Sequence, residues 1–356
     1  MDSLLIYGAY GYTGELIARE AVARGGSPVL AGRDSDRLAA LADNLDCPRR
    51  AFDLQTPDEL TDSLTDIDVV LNCAGPFRRT ADPLVDACLA SGVDYLDITG
   101  ELTVFERVAR RDADARQADV TLLPGVGFDV VPTDCLAAHL HDRLPTATHL
   151  SIAIDAEGSL SRGTLKTLID GLGTGGAIRE NGSLRYQPTA SRSRTVDFGS
   201  GHTRVVTAPL GDVSTAYWTT DIPNIAAYVA LPDSVDTAHR LSRLVGVDRL
   251  LDTLGGSNTA KGLLTKGVDR WLSNPTADER AASTTRIWGE AWSEQTDETV
   301  QSVLSTPDPY ELTVSAAVAC AERVLDDEAP TGYTTPASAF GAEFVRSLDG
   351  VQRTDR

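Results

Sequence analysis

The chain is nearly without lysine: Lys166, Lys261 and Lys266 are the whole supply, so its 32 basic residues are almost all arginine. Against them stand 52 acidic residues, aspartate ahead of glutamate, giving a formal net charge of −20. A surface of that sign repels nucleic acid and anionic lipid, and neither is expected as a partner. The acidic, aspartate-rich, lysine-poor composition resembles that of proteins from salt-loving archaea. Long apolar runs are missing as well. No stretch reaches the roughly eighteen uninterrupted apolar residues of a membrane span, so none is expected. Met1-Asp2-Ser3 leads straight into an apolar strand with no basic segment before it, so no secretory signal is expected and the protein should be cytoplasmic. The five cysteines, Cys47, Cys73, Cys88, Cys135 and Cys320, are odd in number and never spaced C-x-x-C. Reduced, mostly buried thiols are expected rather than disulfides.

Several chemistries are excluded by missing motifs. No tyrosine has a lysine four residues later, so the Tyr-x-x-x-Lys pair of short-chain dehydrogenases is absent. There is no H-E-x-x-H and no Walker A lysine. His139-Leu140-His141 falls on a helical segment, where side chains two residues apart diverge, and no metal site is expected. Gly171–Gly176 follows a helical pattern rather than a strand and reads as a flexible or substrate-facing turn, not a phosphate cradle.

At 356 residues, 42% hydrophobic, the chain is long enough for two domains. Its first part alternates apolar strands (Leu4–Tyr7, Pro28–Ala31, Arg49–Phe52, Val69–Cys73, Asp94–Asp97, Val120–Leu123) with helical patterns (Gly14–Arg24, Asp36–Leu45, Pro57–Leu64, Pro83–Ser91, Leu102–Ala118, Val131–Leu144). Strands apolar nearly throughout, separated by helices, give a doubly wound parallel sheet of the Rossmann type. From about residue 149 the pattern changes to β-branched, alternating stretches at His149–Ala156, Thr203–Ala208, Ile225–Ala230 and Arg286–Trp292, with helices near Leu165–Arg179 and Val235–Thr253. A second α+β domain on a mixed or antiparallel sheet is expected there. Pro309 to Leu348 is helical again, broken at Asp326–Pro336.

The turn after the first strand carries the clearest chemistry. In Gly8-Ala9-Tyr10-Gly11-Tyr12-Thr13-Gly14, Gly8 permits a tight turn, Gly11 a close approach of backbone to pyrophosphate, and Gly14 the packing of helix on strand. The helix start then offers free N–H groups and a positive dipole end to phosphate. At the end of the second strand, where an NAD-binding domain usually carries an acid, the chain reads Gly32-Arg33. Arg33 suits a 2′-phosphate, with Arg37 one helical turn on; an ion pair of Arg33 with Asp34 or Asp36 is the alternative. NADP(H) is therefore expected ahead of NAD(H). Cys73-Ala74-Gly75-Pro76, ending the fourth strand, provides small residues against which a cofactor ribose and nicotinamide can lie. Glu101 and Asp129 follow the fifth and sixth strands and are candidate proton donors; each precedes a helical run and fits a helix cap equally well.

Gly8–Gly14, Ala31–Arg37, Asp97–Glu101, Gly125–Asp134, Gly211–Asn224 and Thr331–Leu348 together resemble the saccharopine dehydrogenase-like family, close to its trans-acting enoyl reductases. The resemblance implies an NAD(P)(H) oxidoreductase whose C-terminal helices return to the nucleotide-binding domain. The expected division is 1–130 plus 327–356 for the dinucleotide, and 131–326 for a small-molecule substrate and a homodimer contact. The expected activity is NADP(H)-dependent reduction of an activated C=C bond of a lipid-like substrate, with a donor near Asp129, Glu101 or a second-domain tyrosine. Oxidation of a C–N bond in an amino-acid derivative and a non-catalytic NADP-binding scaffold are the alternatives. The basic cluster that a multiply carboxylated substrate needs is not evident.

If the acidic surface is an adaptation to salt, Tm should climb as KCl goes from about 0.1 M toward molar levels, beyond simple Debye screening. A flat or falling Tm across that range would contradict the reading.

Overall fold

The computed structural model describes residues 1–156, 176–188, 190–199, 201–230 and 283–356, together with 276, 278 and 280. The expected helix Val235–Thr253, and all but the last residues of Leu165–Arg179 and of the glycine-rich Gly171–Gly176, lie outside them. The described residues gather into two compact units, Met1–Ala138 with Pro309–Asp349, and His139–Asp308 with Gly350–Arg356.

In the first unit, β1 (Leu4–Tyr7), β2 (Val29–Gly32), β3 (Arg49–Ala51), β4 (Val69–Asn72), β5 (Asp94–Asp97) and β6 (Thr121–Pro124) form a parallel sheet. The short strand Gly332–Tyr333 adds to β6, and the order is Gly332–Tyr333, β6, β5, β4, β1, β2, β3. All four residues of β1, β2, β4 and β6 are buried, as continuous apolar strands must be when helices cover both faces. In β5 Asp94 is only half-buried, and the edge strand β3 departs furthest, with Arg49 and Arg50 at the margin. The helices are α1 (Tyr12–Ala23), α2 (Ser35–Leu45), α3 (Pro57–Asp62), α4 (Phe77–Ser91), α5 (Leu102–Ala109), α6 (Asp112–Ala118) and α7 (Val131–Arg143). Strand order reverses between β1 and β4, so their carboxyl ends flank the crevice where such sheets bind ligands.

Two helices differ from the sequence pattern. α4 starts at Phe77, with Pro83 inside it, because its first N–H groups are capped by Glu101 from a distant part of the chain. Leu102–Ala118 is two helices, parted at Arg110 and Arg111. The last helical stretch expected before Leu348 is not one helix either. Gly341, at φ +84°, follows the short helix Pro336–Phe340, and a 3-10 turn carries Phe344; the two rings still meet at 5.1 Å.

The units are also bounded differently from the expected domains. The helix Pro309–Leu325 buries Leu312, Ala316, Ala317, Cys320, Ala321 and Val324 and packs on α1, so it belongs with the first unit. Its Thr313 hydroxyl accepts from the Phe128 N–H at 3.0 Å, steadying the turn after β6. Asp134 on α7, 1% exposed, accepts from the Ala337 N–H at 2.8 Å and fixes the C-terminal return. Gln352–Asp355, by contrast, is an edge strand of the second unit.

Among the described residues, that second unit is built on a nine-stranded mixed sheet. Its strands are β7 (His149–Ala156), β8 (Gly176–Glu180), β9 (Ser183–Gln187), β10 (Ser193–Asp197), β11 (His202–Thr207), β12 (Asn224–Ala230), β13 (Thr284–Trp292) and β14 (Thr299–Pro307), with Gln352–Asp355. The main path runs β10, β11, β12, β7, β13, β14, Gln352–Asp355, and only β12 with β7 is parallel. Alternation places Ala153, Val196, Val205, Tyr228, Trp288 and Val303 in one apolar cluster. The motif Gly211–Asn224 forms α8 (Asp212–Thr220) and leads into β12. Buried Arg179 holds α8 by donating to the Val213 carbonyl at 2.8 Å, with its guanidinium 4.0 Å from the Tyr217 ring centre.

Truncation after Leu325 would remove Tyr333, Phe344 and Val345 and take the Ala337 N–H from Asp134. The shortened chain should bind more hydrophobic dye and lose soluble yield; a soluble truncated chain with unchanged dye binding and Tm would contradict this packing.

Candidate functional site

The turn after β1 is shaped by close approaches. Gly8 has φ +83° and donates its N–H to the Ala31 carbonyl at 2.8 Å; a Cβ there would sit 2.8 Å from the Ala74 Cβ. A Cβ on Gly14 would come within 2.4 Å of the Gly8 carbonyl oxygen. Gly11 is the N-cap of α1 and brings no side chain, so the first-turn N–H groups, Thr13 among them, have no side-chain cap. A helix end in that condition is an anion-binding site by charge and by hydrogen bonding. Tyr12 lies edge-on to Tyr310 at 5.1 Å and serves packing.

At the carboxyl end of β2, Tyr10, Arg33, Asp34, Arg37 and Asp53 line an open cavity of about 510 Å³. The Tyr10 hydroxyl accepts from the Arg33 and Asp34 N–H groups, both at 3.2 Å. The Arg37 guanidinium stands 4.7 Å from the Tyr10 ring centre and donates to the Tyr10 carbonyl at 3.0 Å. Asp34 caps α2 by accepting from the Arg37 N–H, and neither Arg33 nor Arg37 makes an ion pair among the described residues. The ion-pair alternative for Arg33 is therefore not realised. Beneath them the Tyr7 hydroxyl is buried without a hydrogen-bond partner, and burial raises its pKa to about 12, with Arg33, Asp53 and Tyr10 as the nearest charged or titrating groups. Two guanidiniums without ion-pair partners among the described residues and a helix start without a side-chain cap form a donor set that fits a phosphorylated nucleotide. Tyr7 and Asp53 were not singled out in the sequence; their places at the ends of β1 and β3 were the available signal.

The ends of β4, β5 and β6 are joined by a buried hydrogen-bond chain. Asn72, fully buried, donates to the Thr80 hydroxyl at 3.1 Å and the Tyr95 hydroxyl at 3.2 Å, and accepts from the Ala74 N–H at 3.0 Å. Tyr95 donates on to Asp97 at 2.8 Å, and Asp97 accepts from the Thr99 and Gly125 N–H groups at 3.0 and 2.9 Å. Asp97 is fully buried with no cation beside it among the described residues, and desolvation lifts its pKa to about 6 against the lowering effect of those donors. The chain positions the Cys73–Pro76 segment, where Gly75 and Pro76 are exposed. Burial pushes the Cys73 thiol up, so it is a poor thiolate and no nucleophile.

The two candidate acids have separate fates. Both oxygens of Glu101 are engaged, accepting from Phe77 at 2.8 Å and Arg78 at 3.2 Å, so it caps α4 and is not poised to give a proton. Asp129 caps nothing: its carboxyl accepts no hydrogen bond and makes no ion pair among the described residues. It lies against Gly100, where a Cβ would meet its Oδ2 at 2.6 Å. The residue is exposed by area, yet protein crowds its carboxyl, and the resulting desolvation raises its pKa to about 6. The upward direction follows from the absence of any compensating donor; solvent contact limits its size. Tyr217 in the second unit is held under Arg179.

Residues 4–123 match the family described as saccharopine dehydrogenase NADP binding domain. An Arabidopsis thaliana protein named "Probable mitochondrial saccharopine dehydrogenase-like oxidoreductase" is 35% identical over 148 residues, 37% of this chain and 33% of that one. A trans-acting enoyl reductase of Mycobacterium ulcerans is 29% identical over 214 residues, 55% of this chain and 51% of its own. The chain thus spans about a third to a half of the length of these relatives. Apo saccharopine dehydrogenase (L-Glu forming) from Saccharomyces cerevisiae superposes with a TM-score of 0.66 over 99% of both chains at 11% identity, a likeness of fold alone. Residues 4–123 thus carry the match to an NADP-binding domain, and the chain is similar in part to saccharopine dehydrogenase-like oxidoreductases and, distantly, to trans-acting enoyl reductases.

The Asp97 assignment has a pH signature. An acid whose folded pKa is raised to about 6 adds stability that is complete below its unfolded value near 4 and is lost as pH rises through 6. In Asp97→Asn the Tm deficit relative to wild type should therefore shrink between pH 4.5 and 7. A deficit that stays constant or grows would contradict the assignment.

Proposed function

We propose that the protein is an NADP(H)-dependent reductase of an activated C=C bond in a lipid-like small molecule. The observation that carries the cofactor choice is the pair of guanidiniums, Arg33 and Arg37, standing without ion-pair partners around the cavity at the end of β2. In this reading they take the 2′-phosphate, while the Gly8–Gly14 turn and the start of α1 take the pyrophosphate. Cys73, Ala74, Gly75 and Pro76 flank the ribose and nicotinamide. The bound nicotinamide supplies the hydride. Asp129, whose pKa is raised by desolvation, is the proton source for a developing enolate. The likeness to trans-acting enoyl reductases supports the C=C bond as the target. The nucleotide belongs to the first unit, which leaves the second to the substrate and to a second copy of the chain. The cytoplasm is the proposed compartment, although the Arabidopsis relative's name is mitochondrial. Among the described residues no helix is long and apolar enough to cross a membrane.

One observation favours a second reading, oxidation of a C–N bond in an amino-acid derivative. Among the described residues Asp129 has no cationic partner, and a substrate ammonium would supply one.

Binding and turnover test these together. A guanidinium–phosphate contact contributes roughly 1.5–3 kcal/mol, which predicts about a ten- to hundredfold preference for NADPH over NADH. Salt erodes part of it. Arg33→Ala should reduce the preference, and the double change with Arg37→Ala should abolish it, as read by fluorescence titration. Equal binding of both cofactors to wild type, or an unchanged ratio in Arg33→Ala, would refute the NADP(H) assignment. NADPH consumption with enoyl rather than imine substrates decides the reaction; tight NADPH binding with no turnover of either would point to a scaffold.

A further inference from the structure

Nothing in a phosphate-binding turn requires a large side chain at position 10, since only backbone approaches the phosphate there. Tyr10 nevertheless sends its ring out of the turn to the end of β2. Its hydroxyl is fixed by the Arg33 and Asp34 N–H groups at 3.2 Å each, so it grips the backbone of the residue whose guanidinium faces the cavity. Its carbonyl and its ring both engage the Arg37 guanidinium. One residue therefore bears on both arginines.

The ring also occupies a decisive space. A Cβ on Gly32 would lie 2.4 Å from Tyr10 Cε1, closer than non-bonded carbons approach, and a tight 3.2 Å from Cδ1 and Cζ. Residue 32, the last of β2, is where a domain that reads the ribose 2′-hydroxyl carries its acid. The Tyr10 ring and such an acid are mutually exclusive. Freedom of the ring to swing away is restricted, because leaving would strip two backbone N–H groups of their acceptor.

We propose that Tyr10 is the specificity-determining residue for the cofactor: it bars an acid from the end of β2 and holds Arg33 and Arg37 as a pair facing a 2′-phosphate. This rests on the NADP(H) reading and adds what enforces it. Conversion to NADH use then needs the ring removed before an acid is introduced, and the two changes are strongly non-additive.

The test titrates NADPH and NADH, by fluorescence, against the full chain as wild type, Tyr10→Phe, Gly32→Asp, Tyr10→Ser and the double variant Tyr10→Ser/Gly32→Asp, with Tm for each. Tyr10→Phe keeps the ring and loses only the hydroxyl, so it should stay folded while the NADPH:NADH preference falls about five- to tenfold. Gly32→Asp alone should lower Tm and weaken both cofactors, because the new side chain has no room. The double variant should recover Tm relative to Gly32→Asp and bind NADH better than NADPH. If wild type prefers NADPH but Tyr10→Phe leaves the ratio unchanged, or if Gly32→Asp alone switches preference at unchanged Tm, the role of Tyr10 is overturned and the NADP(H) reading stands. If wild type shows no NADPH preference, both fall.

Discussion

At the end of β5 the buried Asp97 carboxylate is held by the Thr99 and Gly125 N–H groups and the Tyr95 hydroxyl, with no cation in contact among the described residues. The same solution recurs through the first unit. Asp94 accepts from the Thr121 N–H, Asp134 from Ala337, Asp34 from Arg37, and Glu101 from both Phe77 and Arg78. Backbone donors, which each loop and helix start must satisfy in any case, are thus matched to carboxylates. In a chain with a large excess of acid over base, this spares arginine. Arg33 and Arg37 remain available at the end of β2, where cationic charge without an ion-pair partner is the distinctive feature of the cavity.

The parallel sheet was legible because its strands are continuously apolar and its helices periodic; burial on both faces leaves few alternatives. The glycine turn and Arg33 were legible because their meaning lies in sequence neighbours. Glu101 was not. Its partners, Phe77 and Arg78, are supplied by another loop, so no local pattern separates a cap from a proton donor. The start of α4 was misplaced for the same reason, since Pro83 looked like a helix opening while the true start depends on that distant carboxylate. Domain limits shifted where a helix or a short edge strand joined the unit that could bury it, as Pro309–Leu325 and Gln352–Asp355 did. Tyr10 was read as part of the turn, and only the crossing of its ring to Gly32 revealed its reach.

Electrostatics divides the crevice into two ends. Among the described residues, the β2 end has guanidiniums without ion-pair partners and a buried tyrosine hydroxyl without a hydrogen-bond partner, and the β6 end has a carboxyl without a partner whose pKa desolvation raises. Cation at one end and a weak acid at the other are what a phosphorylated cofactor and a proton-accepting substrate would separately need.

Nucleotide fragments separate reading of a phosphate at the β2 end from binding of the rest of the cofactor. Calorimetric titration of the wild-type chain with adenosine 2′,5′-bisphosphate and with adenosine 5′-monophosphate is the most direct measurement. The account predicts that the 2′-phosphorylated fragment binds at least about tenfold more tightly, with the advantage shrinking as salt is raised. Equal affinity for the two fragments at low salt would contradict it.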